Sequence, residues 1–481
     1  MRQRRGGRLL GSAAIATLLS GCAALPGQIE PIAAPSVSVP PEWSVPSAGT
    51  SADISDYWRL LNDPLLTEFI VQAQAGNLDL AEAAARLDRA RAGVAAARAG
   101  LLPSISGTGG LRRDFGDFAD DDFNVTVGAD ADWEVDLFGR IGASVDAARA
   151  DLAAAGYSLA DLQRLIVGNV ASSTISARSI AQQIAIARDT LANQDDNLQI
   201  ARWRLQAGLV SSLDVEQARV QRAQTAASIP ALQSDLAATA NTISTLIGEP
   251  PGRVLALLTP PAAIPDPPRD LGFAVPAAII QRRPDVRGAE AILAADLARI
   301  GVARAQLLPA LRLNGTIGTG GLGVGTLFDI ITGNLFAGIS QLIFDGERTR
   351  AQIASAQAQA DGSLAAYRGT ILQVLEEVET AQVDFATARE RRLILEEARE
   401  AAENAAILAR SQYQAGLVDF QILLTAENQL LSARQSLVTA DSQRALAFVR
   451  LTQALGGGWS PGEFAPIAPM IAPIAQTGND R

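Results

Sequence analysis

Asp130, Asp132, Glu134 and Asp136 occupy every second position of one short stretch, and they are where this chain's chemistry could lie. In extended backbone, side chains two apart point the same way, so the four carboxylates share one face. Repeated like charge along a wall favours cations and repels anions. The bland alternative is that some are structural: Asp136 and Arg140 stand four apart at a strand-to-helix corner and could simply pair. The rest of the toolbox is thin. The 481 residues contain no histidine, no lysine and a single cysteine, Cys22. Ser/His/Asp and Cys/His nucleophiles, and zinc sites built on His or Cys, are excluded by composition. No enzyme, metal or cofactor is expected. Gly318-Thr319-Gly320-Gly321-Leu322-Gly323 spells a dinucleotide fingerprint, but Gly325 and a short Leu327-Phe328-Asp329 segment follow where a helix is required. It reads as an external loop, as do Asp117, Asp120, Asp121 and Asp122 between two strands.

The acids belong to a strand. From Phe123 to Leu137 apolar and polar residues alternate strictly, with Val125, Val127, Ala129, Ala131, Trp133 and Val135 opposite the acids. Such a strand is apolar on one side and wet on the other, and ~9–11 tilted residues suffice to cross a bilayer. Weaker strands follow each Leu-Leu-Pro, at Ser104 to Leu111 and Leu311 to Thr319, and a fourth runs from Leu335 to Phe344. Four strands cannot close a barrel, and an open edge is not viable in lipid. The membrane part must be shared between chains: two would supply eight strands and three would supply twelve.

What positions the strands is said twice. Leu101-Leu102-Pro103 recurs as Leu307-Leu308-Pro309, Asp136-Leu137-Phe138-Gly139 is matched by Ile343-Phe344-Asp345-Gly346, and Gln206-Ala207-Gly208-Leu209-Val210 recurs as Gln414-Ala415-Gly416-Leu417-Val418, at offsets of 206, 207 and 208. A constant offset marks a duplicated unit. Between landmarks lie long helical patterns without proline, Arg140 to Ala207 and Gly346 to Ala415; 68 residues would reach ~100 Å. Val374, Val378, Ala381, Phe385 and Ala388 keep a 4, 3, 4, 3 spacing, a seam for a partner helix. Gly208 and Gly416 end the long helices, and shorter ones return to about Ile247 and Leu455. Each is too short alone, so Asn77 to Gly100, and Phe273 to Gln306 in the second half, are expected to stack end to end with them.

The organisation follows. Residues 1–21, with Arg2, Arg4, Arg5 and Arg8 before a short apolar run, form a signal peptide too short to span a bilayer. It ends in Leu19-Ser20-Gly21-Cys22, which resembles a bacterial lipobox and makes Cys22 the lipidated residue. Residues 22–50 are an extended leader, 51–256 the first repeat, 257–268 a Pro-rich linker, 269–456 the second repeat and 457–481 a tail. Without the signal arginines the formal charge moves from −11 to −15, which disfavours nucleic acid as partner.

Four segments carry a family resemblance: Trp58 with Asn62-Asp63-Pro64-Leu65-Leu66; Ala97 to Pro103; Trp133-Glu134-Val135-Asp136-Leu137-Phe138-Gly139-Arg140; and Arg282-Arg283-Pro284-Asp285-Val286-Arg287-Gly288-Ala289-Glu290. The chain resembles the TolC-like outer-membrane channel lipoproteins of tripartite efflux systems, in their NodT-type branch. The resemblance implies a mainly α fold: a homotrimer with a long α-helical barrel and a twelve-stranded transmembrane β-barrel, four strands per chain. It implies a periplasmic adaptor and an inner-membrane pump of RND type as partners, and passive export of small toxic molecules. Protein secretion by the same fold and a pore-less lipid-anchored scaffold are the rivals. In the family the glycine turns form the periplasmic tip, which makes Arg204, Gly208, Leu209, Val210, Gly416, Leu417 and Val418 candidates for docking the adaptor. Family members often carry an Asp ring just beyond the inner turn. Ile422 and Thr425 stand there in this chain, which weakens the case for an acidic gate. Asp419 and Glu427 are the nearest acids, and Gln421 with Tyr413 could form a polar constriction instead.

Overall fold

A computed structural model describes residues 40, 41, 43, 53–113, 115, 123–268 and 276–460. The expected signal segment, the expected lipidation site Cys22, the acids Asp117 to Asp122 and the end of the tail lie outside the described residues. After a short 3-10 helix at Tyr57–Leu61 come α1 (Pro64–Gly76), α2 (Leu78–Ala99), β1 (Ser104–Arg113), β2 (Phe123–Val135), α3 (Arg140–Gln206) and α4 (Ser212–Ile247). The second half gives α5 (Arg253–Leu258), α6 (Pro276–Arg282), α7 (Pro284–Ala305), β3 (Ala310–Leu322), β4 (Ile331–Ser340), α8 (Arg348–Gln414) and α9 (Phe420–Ala454). The duplication is metrical. Both α3 and α8 have 67 residues, and α2 and α7 have 22 each.

The helices form a wall two tiers high. Near the strands its order is α2, α3, α7, α8; near the glycine turns it is α4, α3, α9, α8. Only α3 and α8 run through both tiers, ~100 Å each at 1.5 Å per residue. The shorter helices abut end to end beside them, as their lengths require. The main apolar cluster sits at this tier boundary and includes the expected seam Val374, Val378, Ala381 and Phe385, with Ala388 packed against it. The linker crosses the same belt: Gln182 donates to the Ala262 carbonyl at 3.0 Å, and Arg444 pairs with Asp266 at 2.5 Å.

The strands differ from expectation at their ends. β3 continues through Leu322, taking in most of the glycine run expected to be loop, because its pairing with β2 extends to Asn124 and the Gly323 amide donates to the Phe123 carbonyl at 2.7 Å. β4 begins at Ile331 and stops at Ser340, four residues earlier than expected. Ser340 pairs with Ala310, the first residue of β3 after Pro309, so Leu342, Ile343 and Phe344 have no strand to pair with. Likewise Leu257 and Leu258, expected in the linker, close the short helix α5.

Candidate functional site

The sheet has the order β1-β2-β3-β4, all antiparallel. Its register sorts side chains onto two faces. Asp130 stands opposite Ser106 and Thr316, Asp132 opposite Ser104 and Asn314, and Thr316 opposite Asn334, so one face is mainly polar, with Phe336 of β4 and Leu322 at the end of β3 as its apolar exceptions. Ile105, Val127, Ile317, Leu335 and Ile339 occupy the other face and are 45–85% exposed. An apolar face left bare in one chain is a surface made for a non-aqueous neighbour. Among the described residues, the outer edges of β1 and β4 have no strand partner. The polar face borders a groove of about 800 Å³ lined by Thr108, Asn124, Thr126, Asp130 and Thr316.

Geometry divides the four acids. Thr108 donates to Asp130 at 3.4 Å and Asn314 donates to Asp132, so both keep an unbalanced negative charge among the described residues. Glu134 is neutralised: Arg140 donates to it at 2.8 and 3.0 Å, and Arg312 lies at 3.7 Å. Asp136 turns to the helix, accepting from the Ile141 and Gly142 amides at 3.1 and 2.7 Å. It caps α3, where unpaired amides and the helix dipole favour an anion. The pairing of Asp136 with Arg140 does not form, because Asp136 is taken by the amides and Arg140 by Glu134. Asp345 does the same for α8 through the Thr349 amide and hydroxyl, and that hydroxyl bond first among several causes holds its carboxyl below the usual range.

At the opposite end, both turns close alike. The Gly208 amide donates to the Leu205 carbonyl and the Leu209 amide to that of Arg204; Gly416 and Leu417 repeat this toward Tyr413 and Gln412. Gly208 at φ 72° and Gly416 at φ 74° supply the left-handed residue this double bond requires. Ser211 and Asp214 then form a capping box that starts α4. Arg204 crosses from the first turn to the second, donating to the Tyr413 carbonyl at 2.8 Å with its guanidinium 4.5 Å above the Tyr413 ring. Leu209 and Leu417 are exposed, whereas Val210 and Val418 are half-buried. Of the gate candidates, Asp419, Gln421 and Thr425 are exposed. Tyr413 is not available to a constriction: its ring is 2% exposed and packs on Phe420 within the tip's own apolar cluster. Glu427 is also buried, bound by Asn197 at 2.7 Å and Arg410 at 2.9 Å.

Sequence reasoning missed how the two tiers are joined. Asn77 caps α2 by accepting from the Leu80 amide, and its own amide donates to the Leu246 carbonyl at the end of α4, at 2.8 Å. In the second repeat Arg283 takes that place, with offset 206 again. It grips Asp285 with two nitrogens, reaches Glu377 of α8 at 2.7 Å and donates to the Ala454 carbonyl that ends α9 at 3.0 Å. Each helps satisfy a helix C-terminus that has no intrahelical partner. The repeat offset was the available signal.

Comparison with known proteins matches this architecture. The outer membrane efflux protein family matches twice, over residues 69–249 and 275–457, one match per repeat. Nodulation protein T of Rhizobium leguminosarum bv. trifolii is 31% identical over 92% of this chain and 96% of its own length. The pyoverdine export outer membrane protein OpmQ of Pseudomonas aeruginosa is 31% identical over 92% and 95%. The solved outer-membrane channel OprN superposes with a TM-score of 0.82 at 30% identity, covering 92% of this chain and 100% of that one.

Proposed function

This chain belongs to the outer membrane efflux protein family, and on that premise we propose that it is the exit duct through which an energised pump expels small molecules across the outer membrane. The observation that carries the reading is the two-faced sheet, both of whose edges are unpaired among the described residues, mounted on helices ~100 Å long. An unpaired edge is excluded from lipid. Three copies joined edge to edge give twelve strands with the apolar face outward and the polar face lining a water-filled lumen. The helical walls continue that lumen into the periplasm.

Within this reading Asp130 and Asp132 give the lumen its cation preference, since neither is met by an arginine as Glu134 is nor drawn off to a helix end as Asp136 is. Glu134 and Asp136 lie at the neck where strand becomes helix and set its shape. The exposed Leu209 and Leu417 meet a periplasmic adaptor, which connects the duct to an inner-membrane pump of RND type. Arg204, Gly208, Val210, Gly416 and Val418 hold the tip in the shape that presents them. Asp419, Gln421 and Thr425 line the entrance as a mixed polar ring. Lipid on Cys22 adds an anchor beside the barrel. The chain catalyses no reaction, and its relatives' cargoes differ, from pyoverdine to toluene.

Purified protein in planar bilayers tests the reading. Ion conductance is expected, with a reversal potential that shows cation preference in a salt gradient. The double variant Asp130→Asn, Asp132→Asn keeps the conductance and loses most of that preference. A protein that carries no current refutes the duct, and an unchanged reversal potential refutes the placement of the two acids.

A further inference from the structure

The apolar packing of the helical wall is interrupted. The belt cluster on α3 reaches Ile184, and the tip cluster resumes at Leu198. The inward positions between Ala187 and Leu198 are Thr190, Gln194 and Asn197, spaced where apolar residues would continue the seam. On α8, the last helix of the wall in the single chain, no side chain is fully buried between Phe385 and Ala406, a stretch of ~30 Å that also carries the exposed Leu393 and Ile394. On α4, the one buried residue between Ala218 and Leu236 is Thr225, and Pro230 sits inside the helix there.

Ion pairs fill this gap. Asp189 of α3 meets Arg434 of α9 at 2.8 Å, and Arg434 reaches Glu403 of α8 at 3.3 Å. Along α8, Arg399 holds Glu403 and Glu396, and Arg392 joins Glu396 to Asp441 of α9 at 2.9 Å. Most of these side chains keep a quarter to a third of their surface exposed. Pairs of that exposure are weak and screened by salt. Proline removes a backbone hydrogen bond and admits bending.

We infer that this polar layer is a joint: the tip bundle turns as a unit on the belt, and the ladder of ion pairs sets how freely. Apolar clusters resist shear because they interdigitate, whereas ion pairs between long side chains can exchange partners. Buried Thr190, Gln194 and Asn197 at the inward positions replace interdigitating apolar side chains with polar ones, which leaves less apolar packing to break on turning. The inference rests on the helical wall alone and deepens the duct reading by locating where the entrance is hinged. It does not depend on conductance.

Hydrogen exchange on the full-length, detergent-solubilised protein tests it, read peptide by peptide at ~0.05 M and ~1 M NaCl, where the Debye length falls to ~3 Å. High salt should speed exchange in 389–404 and 427–437 by about threefold or more, with the belt peptides 166–184 and 445–454 unchanged. At low salt, Arg399→Met should reproduce the pattern and Pro230→Ala should slow exchange in 223–233. A salt response spread evenly over belt and layer, or none in either, overturns the joint. The wild-type salt comparison decides the matter even if a variant fails to fold. A protein that conducts ions without the layered response keeps the duct and loses the joint.

Discussion

Arg283 ties three parts of the fold together. It is 1% exposed, sits where α7 begins, and is shared by Asp285, Glu377 and the last carbonyl of α9. Removing one partner of a buried pair strands the others, which costs ~3 kcal/mol. Asp285 adds a pH signature. Burial pushes its carboxyl up, but the bonds and charge of Arg283, with Arg164 and the Val286 amide, together outweigh that and hold it below the usual range. A carboxyl depressed in the folded state contributes stability that is whole above its ordinary pKa of ~3.9 and is lost as pH falls through the folded value. Urea unfolding of wild type and Arg283→Met should therefore differ by ~3 kcal/mol near neutrality, and the gap should narrow only below about pH 4. A gap constant down to pH 2 would rule out this account.

Helix ends govern the element scale. Gly208 and Gly248 are both left-handed, at φ 72° and 75°, yet they answer to different surroundings. Nothing lies within 4 Å of a Cβ placed on Gly208, whereas one on Gly248 would stand 2.2 Å from the Gly76 carbonyl oxygen, where α4 abuts α1. Gly208→Ala should cost only the left-handed strain, ~1 kcal/mol. Gly248→Ala should cost ~3 kcal/mol, because two backbones must part. Urea midpoints of the two variants measure the contrast, and equal losses would show that the tiers are not tightly spliced there. The same splices explain why short helices tile against α3 and α8 without a gap: Asn77 caps α2 and reaches the end of α4, and Arg283, at the start of α7, reaches the end of α9.

The whole molecule is incomplete as a single chain. Its sheet shows apolar side chains on one face and, among the described residues, unpaired edges at β1 and β4. In an edge-to-edge trimer, β1 of one copy lies beside β4 of the next. Cys22 is the sole cysteine, so cysteine pairs placed on the two edges report that contact directly. A scan of positions 105–111 on β1 against 333–339 on β4 should give covalent trimers on non-reducing gels for at least one pair of matched register. Monomers throughout, with cross-links confined within a chain, would overturn the shared barrel.

Local periodicity and turn chemistry act over about ten residues or fewer, so they are legible in the chain itself. They determined the two-faced strand at Phe123, the seam from Val374 to Phe385 and the glycine turns at 208 and 416, while the duplicated unit came from landmarks that recur at offsets of 206 to 208. Strand ends were less legible, because β4 ends where β3 begins and that depends on Pro309, some thirty residues earlier. Which acids stay unbalanced was hidden for the same reason: Arg312 reaches Glu134 from another strand, and Asp136 is claimed by amides. By sequence Tyr413 fits a gate, but its ring lies under Arg204, 209 residues away in sequence. Asn77 with Leu246, Arg283 with Ala454 and the ladder through Arg434 are also meetings of distant segments. Only the packed wall decides them, because a side chain's partner is fixed by which helix ends abut, and no local pattern encodes that.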